Sequence, residues 1–351
     1  MPAQDDWNRM RPVLGPGSIV HQMSLNETCF PPLPGVLRAV QETAAQSHRT
    51  LDALGFGLAG AISGHLGVPA ADVLVGAGSG ALLQQLFSSL TGPDSHTLHA
   101  WPSWEAYPMM AANAGSSVVR IPLTEDRHDL DAMAAAATTD TRMVVLCNPN
   151  NPTGTAVDHQ AVERFLDRLP AHVTVVVDEA YRDFAAADAV ADGIALYRAD
   201  ERVCVVRTFS KSYGLLSLRV GYLVGHPRVL APLRALQPFH RVSNTGQAAA
   251  VAALAEDAEI RRRCAETAGE RDRLHGILSE QGWHVAPSEA NFLWLPLEKS
   301  VEDFTQFCAD HGVVVCGKPG QGVRVTIAER AANDAFAELA AAFRVMSGSA
   351  A

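Results

Sequence analysis

Hydrophobic positions along the chain fall in short, mostly apolar runs that do not alternate with polar ones. Val73–Val75, Ser117–Ile121, Met143–Cys147, Val173–Val177, Val203–Val206 and Val220–Val224 are of this kind, and most are rich in β-branched residues. Such runs read as strands buried between two helix layers, and the stretches between them carry helical spacing. Strand-then-helix alternation predicts a mostly parallel sheet, with functional residues where strands end and loops begin. Residues 36–65 are Ala-rich with helical spacing, and 245–281 is helical again. Residues 283–345 read strand, helix, strand, strand, helix, which is a smaller α+β domain. Residues 1–35, rich in Pro and Gly, read as an irregular arm. The expected division is an arm at 1–45 packing with the small domain, a large domain at 46–245, and a linking helix with the small domain at 246–351.

Composition narrows the function classes. The 351 residues are 48% hydrophobic, enough for two cores. A formal charge of −10, with no dense Lys/Arg cluster, argues against a nucleic-acid partner. No apolar run approaches the ~18–20 residues of a membrane span. Met1–Met23 has acids and prolines where a secretory signal needs a basic start and an apolar stretch. Six scattered cysteines without a Cys-x-x-Cys pair suit reduced thiols in the cytoplasm better than a disulfide frame or a metal site.

The chemistry sits at the ends of the apolar runs. Thr208-Phe209-Ser210-Lys211 follows Val203–Val206 after the single residue Arg207, and Arg219 stands eight residues on. An isolated lysine there would snorkel to the surface. Beside Arg219, with Thr208 and Ser210 as hydroxyl donors, the set can hold a phosphate. A lysine close to those cations and partly desolvated has a lowered pKa and becomes a usable imine-forming amine. Asp178 ends the run Val173–Val177; it is either a helix N-cap or the partner of a buried cation. In a site for pyridoxal 5′-phosphate that cation is the ring nitrogen, and the ion pair keeps the ring an electron sink. Tyr181, three residues later, can reach the ring oxygen or simply be a buried tyrosine.

Three further segments can read as bare structure or as parts of that site. Cys147-Asn148-Pro149-Asn150-Asn151-Pro152-Thr153-Gly154 makes a tight turn whatever its use. In the functional version Asn151 donates to the ring oxygen. Gly76-Ala77-Gly78-Ser79-Gly80-Ala81 suits a phosphate at a helix N-terminus, and also a loose dinucleotide fingerprint. No acid ends the next strand, so the nucleotide reading is weak. Trp104 can stack on the cofactor ring or pack in a core. Arg324, alone among apolar residues in Gly322–Ile327, is either a surface ion pair or a fork for a substrate carboxylate.

In this order the strings GAGSGALLQQL, WPSWEAYP, CNPNNPTG, VVVDEAYRDF, RTFSKSYGLLSLRVGY, SEANFLWLPL and GVRVTIA resemble the fold-type-I, class I/II aminotransferases. The likeness lies with the histidinol-phosphate and aromatic amino acid (phenylalanine) branch. It implies a PLP-binding α/β large domain with a smaller α+β domain, and a homodimer with sites at the subunit interface. It also implies Lys211 as the Schiff-base lysine and proton shuttle, Asp178 on the ring nitrogen, and Tyr181 and Asn151 on the ring oxygen. By the same likeness Trp104 stacks on the ring, and Ser79, Gly80, Ala81, Thr208, Ser210 and Arg219 bind the phosphate. Arg324, with Asn151 beside it, takes the substrate carboxylate.

Two departures bear on substrate. Thr50 stands where relatives carry a Tyr that reaches the partner's cofactor phosphate, and Cys316 stands where they carry an Arg. Losing a cation at 316 disfavours a phosphorylated substrate. The expectation is transamination between an aromatic or large apolar L-amino acid and a 2-oxo acid. The alternatives are histidinol-phosphate transamination, or another biosynthetic outcome on the same cofactor such as decarboxylation, cyclisation or oxidation. Two readings from other classes are disfavoured. A PLP-binding regulator lacks room before Leu25 for a DNA-binding domain, and a nucleotide-dependent oxidoreductase leaves Lys211 and Arg219 unexplained.

Overall fold

Valine and leucine fill the strands that carry the sheet, and their side chains are buried on both faces except in the run Ser117–Ile121, which forms an edge strand where Ile121 alone is buried. The computed structural model describes residues 21–297 and 299–348. Its main sheet has seven strands: β2 (Val73–Gly76), β3 (His96–Trp101), β4 (Ser117–Pro122), β5 (Thr141–Cys147), β6 (Thr174–Asp178), β7 (Val203–Thr208) and β8 (Gly221–Gly225). Their spatial order is β2-β8-β7-β6-β5-β3-β4. Strands β4, β3, β5, β6 and β7 run parallel, and β8 is antiparallel to both β7 and β2. Val144, Leu146, Val175, Val177, Val203 and Val205 face one apolar layer; Val145, Val176, Cys204 and Val206 face the other. Each fully buried Val or Leu contributes about 1.5–3 kcal/mol, so the two-sided burial expected from the uninterrupted runs is the main support of the sheet.

Strand β3 was not among the expected runs, because His96, Thr97 and His99 interrupt its apolar pattern. The sheet buries Thr97 and His99 all the same and leaves His96 half-buried. His99 lies wholly buried, with Nδ1 2.9 Å from the Ala100 carbonyl. Burial lowers its pKa to about 4, so the ring is neutral.

A second sheet has the order β1-β10-β11-β9, built from β1 (His21–Met23), β9 (Phe292–Leu295), β10 (Val313–Lys318) and β11 (Gly322–Thr326). The order strand, helix, strand, strand, helix read from residues 283–345 is the observed one, with helices Val301–Asp310 and Arg330–Met346. These helices and one sheet face enclose a separate core around Phe304, Phe336, Leu293 and Val325. The arm enters this sheet through β1, which pairs parallel with β10 from His21–Val313 to Met23–Val315. Its part before His21 lies outside the described residues. Farther on, helix Pro34–Ala44 packs on helix Asn244–Ala255, and helix Asp257–Glu280 runs on toward the second sheet. Among the described residues no helix is long and apolar enough to cross a membrane.

Candidate active site

The parallel strands β5, β6 and β7 end in register, with Cys147 opposite Asp178 and Asp178 opposite Val206. Three loops therefore open side by side, carrying Asn148–Gly154, Glu179–Tyr181 and Phe209–Lys211. The last residue of β6 is Asp178, and it is buried. Its Oδ2 accepts from the Tyr107 hydroxyl at 2.7 Å, and its Oδ1 accepts from the Ala180 N–H at 3.2 Å. Burial lifts its carboxyl to about 6, against the pull of those two donors. A carboxylate held there without a cation is costly. The alternative role of helix cap is filled only by the single bond to Ala180.

Lys211 projects from the neighbouring loop. Its Nζ donates to the Leu25 carbonyl at 3.0 Å and lies 5.9 Å from the centre of the Tyr181 ring. Burial, then the charges of Arg324 and Arg219 against that of Glu27, lower its pKa to about 7. A substantial fraction of this amine is neutral at physiological pH, as a nucleophile requires. The Tyr181 hydroxyl accepts from Asn26 Nδ2 at 2.9 Å.

The glycine-rich loop ends β2 and enters helix Ser79–Leu90. Gly78, at φ 83°, is in a conformation that favours glycine, and a Cβ there would stand 2.5 Å from Nη2 of Arg219. A Cβ on Gly221 would stand 2.4 Å from the Ser79 nitrogen. These two glycines let the guanidinium and the helix N-terminus close on one space. Arg219, itself at φ 53°, donates to the Leu216 carbonyl at 3.0 Å and to Ser210 Oγ at 3.4 Å. Thr208 accepts from the Ser210 N–H at 3.0 Å, which shapes the turn. A guanidinium, a hydroxyl and free helix N–H groups suit a phosphate. The floor of this space is Trp104, whose ring edge lies 3.4 Å from where a Cβ on Gly80 would be and stands at 85° to the Tyr107 ring. Ala81 continues the first turn of the same helix.

From the second sheet comes Arg324, buried in β11. It donates from Nη1 to Asn151 Oδ1 at 2.6 Å and from Nη2 to the Ser24 carbonyl at 2.7 Å. Its Nε has no partner among the described residues, so the fork retains a donor for an anion. The bond to Arg324 fixes the Asn151 amide with its oxygen toward the guanidinium and its NH₂ free to donate elsewhere.

All the candidates named from the motifs thus stand in one connected set. Sequence reasoning missed several members. Tyr107, Leu25 and Asn26 belong to it, and Asn26 is held at φ 54° by bonds with Thr326. The signal for Tyr107 was its place on the helix after Trp104, with one face turned inward; for Asn26 there was none. A phosphate cradle, a buried acid and a partly neutral amine within one space fit the phosphate, ring and carbonyl of pyridoxal 5′-phosphate. Among the described residues no group of three metal-ligating side chains comes together.

Residues 18–338 match the family model for aminotransferase class I and II. The aromatic amino acid aminotransferase of Streptomyces avermitilis is 45% identical over 335 residues, 95% of this chain and 93% of the relative. That of Thermobifida fusca is 46% identical over 331 residues, 94% and 92% of the two chains. The histidinol-phosphate aminotransferase of Sinorhizobium meliloti, solved in complex with pyridoxal 5′-phosphate, superposes with a TM-score of 0.85 at 28% identity, covering 93% of this chain and 92% of that one. The chain belongs to the class I and II aminotransferases, and is an enzyme of that fold working with pyridoxal 5′-phosphate.

Proposed function

We propose that the enzyme moves the amino group of an aromatic or large apolar L-amino acid to a 2-oxo acid. The observation that carries the substrate class is a pairing in the second sheet. Cys316 stands directly opposite Arg324 across the β10–β11 pair, so both side chains leave the same face. The position directly across from the carboxylate fork therefore holds a thiol, so a phosphorylated substrate finds no cation at that position. Phe292 and Tyr181, edge to face at 4.9 Å, add apolar wall nearby. The names and high identity of the aromatic amino acid aminotransferases above support the same class.

Pyridoxal 5′-phosphate bound here would supply an electrophilic carbon and a cationic ring able to serve as electron sink for the substrate's α-carbon. Arg219, Ser210 and the N–H groups of Ser79, Gly80 and Ala81 hold its phosphate, with Thr208 shaping their loop. Trp104 covers one ring face. Asp178 keeps the ring nitrogen protonated, and Tyr107 keeps Asp178 in place. Tyr181 and Asn151 contact the ring oxygen. Arg324 orients the substrate by its carboxylate, and Lys211, neutral in part, moves the proton at the α-carbon.

The same reading takes residues 1–45 as an arm, 46–245 as the cofactor domain and 246–351 as the linking helix and small domain. It makes the enzyme a cytoplasmic homodimer. Exposed Leu37, Leu51, Phe56 and Val251 near a groove between helices Pro34–Ala44 and Asn244–Ala255 support the dimer. The six free cysteines support a reducing compartment.

The test is a panel of amino donors with 2-oxoglutarate as acceptor. Phenylalanine and tyrosine should lead, and histidinol phosphate should trail. Preference for histidinol phosphate, or loss of CO₂ in place of amino transfer, would replace this reading with one of its rivals.

A further inference from the structure

Lys318 and Glu105 form an ion pair to which the mechanism gives no task. The Nζ of Lys318, the last residue of β10, lies 2.7 Å from Oε1 of Glu105, which directly follows Trp104. The Lys318 side chain is 11% exposed and that of Glu105 is 41% exposed. A lysine is rarely buried this deeply without a specific partner. Its position is informative. Alternate residues of a strand share a face, so Lys318 leaves β10 on the side that carries Cys316. Cys316 pairs with Arg324 and Lys318 with Gly322, which puts Lys318 diagonal to Arg324 on one face of the sheet. The charge environment agrees. Burial pushes the Glu105 carboxyl up, yet Lys318 and, behind it, Arg324 hold it below the usual carboxylate range.

A transaminase meets two substrates in one pocket. If one has an apolar side chain and the other a second carboxylate, a fixed bare cation would penalise the first, and a wholly apolar pocket would penalise the second. We propose that Lys318 is a switchable specificity residue that takes the distal carboxylate of a dicarboxylic 2-oxo acid while Arg324 holds the α-carboxylate. With an aromatic substrate Lys318 stays on Glu105 and offers only its methylene stem. With a dicarboxylate it exchanges one carboxylate partner for another, and Glu105, the more exposed of the two, turns to water. This inference rests on the proposed transamination, and names the acceptor side of the same pocket.

The experiment is isothermal titration of the holoenzyme with two unreactive mimics, glutarate for the dicarboxylate and 3-phenylpropionate for the aromatic substrate. Lys318→Met should weaken glutarate about 10-fold or more, the weight of one charged hydrogen bond, and move 3-phenylpropionate less than about threefold. Glu105→Gln should do the reverse to glutarate and tighten it, because the lysine is released from its competitor. Lys318→Arg should keep the discrimination, and with Glu105→Gln it carries the test where Lys318→Met does not fold. A pair that merely clamps the sheet to the Trp104 loop would weaken both mimics in both variants, and that outcome overturns the proposal. So does glutarate affinity unmoved by Lys318→Met. Failure of the aromatic reading is separate: the unsubstituted enzyme would then bind glutarate and not 3-phenylpropionate.

Discussion

The Tyr107 hydroxyl donates to Oδ2 of Asp178 at 2.7 Å, tying the first turn of one helix to the end of a strand 71 residues away. Both groups are buried, and this donor is the larger of two that work against the burial lifting Asp178 to about 6. An acid whose folded pKa is raised favours the fold while protonated. That contribution is complete below the unfolded value near 3.8 and is lost as pH rises through about 6. Cofactor binding has the opposite preference, since a cationic ring nitrogen needs the carboxylate. Affinity of the apoprotein for pyridoxal 5′-phosphate should therefore fall as pH drops through about 6.

Tyr107→Phe should move that midpoint upward, because it removes a bond to the ionised form, and should cost about 1–3 kcal/mol of stability. Fluorescence titrations of the apoprotein with cofactor across pH 5–8 (about the range in which a carboxyl so raised titrates) measure the first effect. A midpoint identical in both proteins would show that Tyr107 does not tune Asp178.

Lys211 should react with amine-directed reagents in the apoprotein along a curve centred near pH 7, because burial and the neighbouring guanidinium groups lower its pKa to about 7. Arg324→Gln removes one of those charges and should shift the curve to higher pH. Peptide mapping of the labelled protein reads both. Lys211→Ala should reduce turnover by about 10³-fold or more with an unchanged melting temperature, and full turnover in that variant would deny Lys211 its role.

Arg324→Lys keeps the charge and loses the fork that bonds Asn151 and Ser24. KM for the amino acid should rise about 10- to 100-fold, with a smaller change in kcat. Equal losses for a substrate and for an analogue without the carboxylate would place Arg324 outside substrate binding.

Gly78→Ala forces a side chain into the left-handed region and against the Arg219 guanidinium. About 1–3 kcal/mol of strain should weaken cofactor affinity by ~10-fold or more, measurable by dialysis and absorbance of the retained cofactor. Wild-type affinity in this variant would mean that the loop relaxes away from Arg219.

What the chain made legible follows from where each residue stands. Asp178 and Arg219 abut mostly apolar runs and Lys211 follows one by a short loop, so their placement at strand ends could be read from local pattern. Arg324 could be read for the same reason, as one charge in an apolar strand. Strand β3 could not, because two histidines and a threonine in it are polar by type, and the burial of Thr97 and His99 is set by context. Tyr107 was seen as part of a motif, but its bond to Asp178 spans two loops and depends on how the helix after Trp104 lies across the sheet. Asn26, Leu25 and the Glu105–Lys318 pair were out of reach altogether. Their partners are 155, 186 and 213 residues away, and only the docking of the second sheet brings them close.

Ser24 and Leu25 lend main-chain oxygens to Arg324 and Lys211 from a stretch fastened on one side by the three paired residues of β1 and on the other by the bonds of Asn26. Those oxygens sit where incoming anionic or carbonyl groups must find their donors, so the leading segment behaves as a resident surrogate ligand. Excising it would leave every motif untouched and yet unmoor the two cations on which recognition turns.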